Sequence, residues 1–253
     1  MFEQYRIAAI LPLLYGKSFL SDAIQSVIDI VDEVRVIYSP VPCHGAHIKS
    51  IPNPDSRDEL FHSALRAGAG KTCWHEGTIY QTEAHQFNAG LNHAALCPIY
   101  IKLDCDEIWQ PGLLQSAIAF GLEKQVREVR VTMRHYWRSL TRAICHDPCT
   151  PGRVFFRPER FGFNGSDVLS SRDNAYRVHH YGYAQPADVV KYKMSIHYHA
   201  PEFRKDCDWF NDIFLTNRQV DCHPCGQVEW TAEDVPAQGL LRHHPFVGME
   251  VIE

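Results

Sequence analysis

Ile99-Tyr100-Ile101-Lys102-Leu103-Asp104-Cys105-Asp106-Glu107-Ile108-Trp109 is the stretch that decides the fold. An apolar run with β-branched and aromatic residues predicts a buried strand. It breaks off into Asp104, Asp106 and Glu107; Pro111-Gly112 and an apolar segment of helical period follow. Carboxylates one residue apart at the carboxyl end of a strand suit a hard divalent cation. Open α/β sheets bind ligands at such strand ends. Taken alone, the same residues read more readily as a solvated acidic turn between strand and helix.

The flanking chain gives this stretch a setting. Residues 6–12 predict a first buried strand, Tyr15-Gly16-Lys17-Ser18 a turn, and Phe19, Leu20, Ala23, Ile24, Val27, Ile28 and Val31 a helix, by their spacing. Residues 33–38 read as a second strand, and this β-α-β order predicts a parallel sheet with a right-handed crossover. Pro40, Pro42, Pro52 and Pro54 mark a loop. A helix over 58–67, a strand over 72–75 and a helix over 81–96 then lead into the acidic strand end. A helix over 113–124 and a strand over 126–133 follow it.

The second half differs in character. Arg127, Arg130, Arg134, Arg138, Arg142, Arg153, Arg157 and Arg160 crowd one span, interleaved with His135, Tyr136 and Trp137. His179-His180-Tyr181-Gly182-Tyr183 reads as a strand or turn, and Pro186 opens a helix. A further helix from Pro201 carries Phe203, Trp209, Phe210, Ile213 and Phe214 on its apolar face. The fold class expected is α/β, with a mixed, mainly parallel Rossmann-like sheet flanked by helices and a helical C-terminal part. Residues 1–185 form the main domain in this reading, and 186–253 a helical extension packed on it.

Composition bounds the function. The chain has 253 residues, 45% hydrophobic and 22% charged, with a formal net charge of −5. These values fit an ordinary globular protein and give no global reason to expect nucleic acid. The first apolar run, residues 7–14, is too short to span a bilayer. Nine cysteines, an odd number, do not describe a secreted disulfide framework, which points to a reducing, cytoplasmic compartment. Cys145 and Cys149 with His146, and Cys222 and Cys225 with His223, have the make-up of two zinc half-sites, but at irregular spacing they read better as free cysteines.

Four features in order resemble the family-2-type glycosyltransferases of the GT-A fold. Residues 7–15, with Pro12 and Tyr15, resemble that family's opening strand and turn, Leu14 standing where Asn is usual. Asn88-Ala89-Gly90-Leu91 resembles its Arg-Asn-x-Gly helix, with Phe87 in the Arg position. Leu103-Asp104-Cys105-Asp106-Glu107 is similar to its metal motif, and His180-Tyr181-Gly182-Tyr183 with Lys193 resembles a subgroup of bacteria and their viruses. One departure is Tyr38-Ser39-Pro40-Val41-Pro42, where the family has an Asp-rich nucleoside-binding loop.

The resemblance implies a metal-dependent, inverting transfer of a sugar from a UDP-sugar to an acceptor hydroxyl. It implies Mn²⁺ or Mg²⁺ on Asp106; a histidine of the second half, His180 before the others, would complete the coordination, since imidazole suits Mn²⁺ more than Mg²⁺. Pro12, Tyr15, Ser39, Asn88, Lys102, Asp104 and Glu107 are the donor-site candidates it implies. It places the general base after the metal motif, where Asp167 fits best, with Asp147 and Asp173 as rivals. Arg134, Tyr136, Trp137, Arg138, Arg153 and Arg157 are candidates for the acceptor side. Guanidinium groups suit phosphates and aromatic rings stack on bases, so the expected acceptor is a 5-hydroxymethylpyrimidine in viral double-stranded DNA. The alternatives are a cell-surface glycan or lipid-linked sugar as acceptor, or a non-catalytic domain of the same fold that binds nucleotide or nucleic acid.

Overall fold

Two sheets share the chain, and the acidic stretch joins them. The computed structural model describes residues 4–43, 52–77, 79–145, 152–169, 177–196, 207–216, 231–237, 241 and 244. The elements of its first part are β1 (Ile7–Leu13), α1 (Lys17–Gln25), β2 (Glu33–Tyr38), α2 (Arg57–Ala67), β3 (Thr72–Glu76), α3 (Glu83–His93) and β4 (Ile99–Lys102). Next come β5 (Glu107–Trp109), α4 (Leu113–Lys124), β6 (Glu128–Val131), β7 (Met133–Trp137), β8 (Arg142–Cys145), β9 (Gly152–Phe156), α5 (Pro158–Phe161) and β10 (Ser166–Leu169). Then follow β11 (Val178–Tyr183), α6 (Ala187–Ile196), a π-helical turn (Trp209–Phe214) and β12 (Thr231–Asp234).

The first sheet runs β10-β6-β9-β4-β1-β2-β3. Strands β3, β2, β1 and β4 are mutually parallel, β9 runs against its neighbours β4 and β6, and β10 is parallel to β6. The mainly parallel α/β class read from the sequence is therefore present. Strand β1 is wholly apolar because both its faces are covered, and β2 buries Val34, Val36 and Ile37 beside the charged Glu33 and Arg35. Helix α1 seats Phe19, Leu20, Ala23 and Ile24 on one face at full burial, each large side chain there contributing roughly 1.5–3 kcal/mol. Gly90 lets α3 lie close to the other face, since a methyl there would run into Ile10.

The second sheet runs β12-β8-β7-β11-β5. The single strand expected over 126–133 is divided: β6 joins the first sheet and β7, beyond Thr132, the second. The acidic stretch divides likewise, into β4 and β5 with the carboxylates between them. The region beyond residue 185 contributes strand β12 as well as helices, pairing it antiparallel to β8. A second apolar cluster, Trp137, Ile144, Tyr183, Val190, Trp209, Ile213 and Phe214, fastens α6 and the π-helical turn to this sheet.

Candidate active site

Parallel strands deliver their carboxyl ends to one edge of the sheet, and Asp104 and Asp106 stand there just past β4. The turn from β1 to α1 faces them. Gly16 sits there at φ 109°, a conformation that suits glycine. A side chain at Gly16 would collide with the Cys105 thiol, which itself donates to the Tyr15 carbonyl at 3.2 Å. Asp55 holds the turn from the far side, accepting from the Gly16 and Lys17 amides at 2.6 and 3.0 Å. It thereby puts a negative charge at the start of α1, where the helix dipole favours one.

Asp106 is only 5% exposed, and each of its carboxylate oxygens has company. Gln185 Nε2 donates to Oδ2 at 3.1 Å, and the Lys193 ammonium lies 3.5 Å from the same oxygen. His180 Nε2 lies 3.5 Å from Oδ1. Burial, then the charges of Lys193 and Lys102, hold the His180 imidazole well below its usual pKa. It is therefore a neutral ring at neutral pH, which is the form that ligates metals.

The second sheet aims this imidazole. His180 lies directly across from Glu107 on β5 and from His135 on β7. Facing residues of adjacent strands project to the same side, and His135 Nδ1 meets His180 Nδ1 at 2.6 Å. One of these nitrogens donates and the other accepts, so the contact fixes which ring nitrogen of His180 faces Asp106. Beyond His180 strand β11 carries one residue more than β7, and Tyr183 pairs with Trp137. Gly182 lies in this bulge; a methyl on it would sit 2.5 Å from both His180 Cε1 and Lys193 Nζ.

Asp104 is the more open carboxylate. It accepts from Lys102 Nζ at 3.0 Å, and Lys102 also pairs with Glu83 at 2.7 Å. Burial works against the Lys102 charge, but Asp104 and then Glu83 outweigh it and raise its pKa. Glu107 is buried, and its Oε2 faces the Asp104 amide at 3.4 Å. Burial, then the Asp104 charge, push its carboxyl well above the carboxylate range. The Tyr15 hydroxyl is raised in the same way, by burial and then by Asp106, and its ring meets Tyr192 edge-on at 5.4 Å.

Other expected site residues stand elsewhere. Asn88 lies on the exposed side of α3. Its neighbour Gln86 turns inward instead, donating from Nε2 to the Leu13 and Ile37 carbonyls at 3.2 and 2.5 Å across the ends of β1 and β2. The Ser39 hydroxyl closes its own loop by donating to the Val41 carbonyl at 2.6 Å, while Pro12 stays within β1. Asp167 is on the edge strand β10, level with Ile101 but three strands from β4, and its Oδ1 accepts from the Val168 amide at 2.8 Å. The fold does not bring it to the carboxylates. Asp147, Asp173, His146, Cys149, Cys222, His223 and Cys225 lie outside the described residues.

The arginine span is divided among structural duties. Arg157 donates to the Leu91, Ala94 and Cys97 carbonyls at 2.9, 3.1 and 2.8 Å, closing the end of α3. Arg134 pairs with Glu233 of β12 at 3.0 Å. Tyr136 is buried, its hydroxyl 2.7 Å from His179 Nδ1. Arg134 and Tyr136 share the side of the sheet opposite His180, because β7 pairs Arg134 with His179. Trp137 and Arg138 are buried, Arg138 at φ 54°. Arg153 remains partly exposed, facing Lys102 on β4 and Arg130 on β6, with Glu128 at 3.6 Å.

Asp106 Oδ1 and His180 Nε2 face each other at a separation two ligands of one cation can share. Among the described residues no group of three or more His, Cys, Asp or Glu side chains is arranged around a metal. Mg²⁺ and its relatives are commonly held by one or two protein ligands, with substrate phosphates completing the shell. The residues fit that kind of site and not a closed structural one.

No protein-family model and no curated protein matches the sequence. Several solved structures resemble it distantly. S. aureus TarS, residues 1–349, aligns at 12% identity and a TM-score of 0.46 over 76% of this chain and 64% of that one. The chain thus spans a little under two thirds of that TarS fragment. Glucosyl-3-phosphoglycerate synthase from Mycobacterium tuberculosis aligns at 15% identity and 0.43, over 70% of this chain and 73% of the other. A mycobacterial protein aligns at 14% and 0.46, over 93% and 85%. At this distance, fold and function rest on the chain's own strand order and residues. Among the described residues no helix is long and apolar enough to cross a membrane.

Proposed function

We propose that this chain is a glycosyltransferase that moves a sugar from a nucleotide-diphosphate donor, a UDP-sugar, to an acceptor hydroxyl at the edge formed by β4, β1 and β11. The observation that carries this reading is the buried Asp106 carboxylate beside a neutral His180 and the Lys193 ammonium. Asp106 and His180 would hold Mn²⁺ or Mg²⁺, which when bound neutralises charge on a leaving diphosphate. Lys193 adds positive charge at the same place, and charge set in position beforehand favours a transition state in which negative charge develops. Asp104, steadied by Lys102, would meet the donor's ribose or a metal-bound water.

Asp106→Asn tests this directly. The variant should keep its far-ultraviolet circular dichroism and lose roughly 10²–10³-fold in UDP-sugar turnover. Undiminished turnover in that variant, with no added metal, would overturn the reading.

The acceptor is the finer part of the proposal. A hydroxymethylated pyrimidine in double-stranded DNA would meet the outward guanidinium groups of Arg153 and Arg130, since Arg134, Arg138 and Arg157 are engaged within the fold. A saccharide acceptor needs neither. Labelled UDP-sugar offered with hydroxymethylated DNA or with saccharides separates the two, and label found only in saccharide would reject the DNA acceptor.

A further inference from the structure

Each carboxylate of the Asp104–Asp106 pair has a lysine of its own. Lys102 serves Asp104 at 3.0 Å, and Lys193 stands 3.5 Å from Asp106 Oδ2 with only 14% of its side chain exposed. Several features put the second ammonium there. Gly182 carries no side chain, and a methyl at that position would take the space 2.5 Å from Nζ. The Tyr183 ring faces Nζ at 5.5 Å, a distance suited to a cation over an aromatic face. Gln185, fully buried, donates to the same carboxylate oxygen and fixes its orientation. The second oxygen is left to the His180 imidazole.

We propose that Lys193 is the resident counter-cation of Asp106, so that a divalent ion binds the nucleotide-free protein weakly because it must contend with an ammonium already on that carboxylate. The proposal rests on the reading of Asp106 and His180 as a cation site. Two positive groups drawn to one poorly solvated carboxylate repel each other strongly at this range. The ammonium is tethered by the covalent chain and cannot leave the site by diffusion, whereas the ion can. The tethered charge therefore lowers the affinity for the free one.

The test is a Mn²⁺ titration without nucleotide, reading free Mn²⁺ by electron paramagnetic resonance. Wild type is compared with Lys193→Met and Lys193→Arg, each checked by circular dichroism and thermal melting. Lys193→Met should bind Mn²⁺ roughly tenfold more tightly than wild type or better, and Lys193→Arg, which keeps the charge, should stay near wild type. Equal affinity in wild type and Lys193→Met overturns the proposal, and so does an absence of Mn²⁺ binding in all three. Failure of UDP to bind would instead count against the nucleotide donor, leaving the Mn²⁺ comparison intact.

Discussion

Gly182 shows how much of this site depends on an atom that is not there. A methyl at that position would press on His180 and Lys193 together. Gly182→Ala should therefore lower kcat by roughly a hundredfold, the scale of a displacement of about 1 Å near reacting groups. Steady-state kinetics beside a thermal melt would check it, because a change confined to the melt would contradict the placement. His179, the neighbour facing the other way, makes a different prediction. Burial, then the charges of Arg134 and Arg177, lower its pKa to about 4. The folded protein then stays neutral at His179 while the unfolded chain takes up a proton near pH 6.5. Its contribution to stability is complete above pH 6.5 and is lost as pH falls toward 4. Between pH 7 and 5 the wild type should lose about 2 kcal/mol more than His179→Gln, measured by urea unfolding at each pH.

At the scale of elements, Arg157 separates a structural from a binding role for the arginines. Its guanidinium gathers three carbonyls at the end of α3, where the helix dipole also favours a cation. Arg157→Ala should cost roughly 2–3 kcal/mol in urea unfolding, with KM for the acceptor unchanged. A raised KM at unaltered stability would return Arg157 to the acceptor side. The sequence made the elements themselves readable. The helical spacing of Phe19, Leu20, Ala23 and Ile24, the apolar run of β1 and the β-branched residues of β2 and β4 carry local signals that the fold obeys. Thr132 gives no such warning that β6 and β7 part there into different sheets, since that choice is made by long-range pairing. The use of Arg157 was hidden for the same reason: its partners Leu91 and Ala94 are more than sixty residues away in the chain.

For the whole molecule, the site is made where the two sheets meet, Asp106 following the first and His180 coming from the second. A ligand bridging them should stabilise both together. UDP with Mn²⁺ at about a hundred times its Kd should add about 2.7 kcal/mol to the folded state, seen as a concentration-dependent rise in Tm that Asp106→Asn abolishes. The acidic motif was readable because its residues are adjacent in sequence. His135 and Gln185 were not, since nothing local marks a histidine that becomes a cross-strand partner or a glutamine that ends beside a carboxylate. The bulge in β11 adds a consequence of its own. A strand alternates its sides with a period of two, and one supernumerary residue shifts that alternation against the neighbouring strand. Strand β11 ends at Tyr183, so the extra residue sets where the chain leaves the sheet for Gln185 and, on α6, Lys193. The site thus depends on a count: an odd step in an even ladder precedes the turn from which Gln185 and Lys193 come back to the carboxylate that His180 faces.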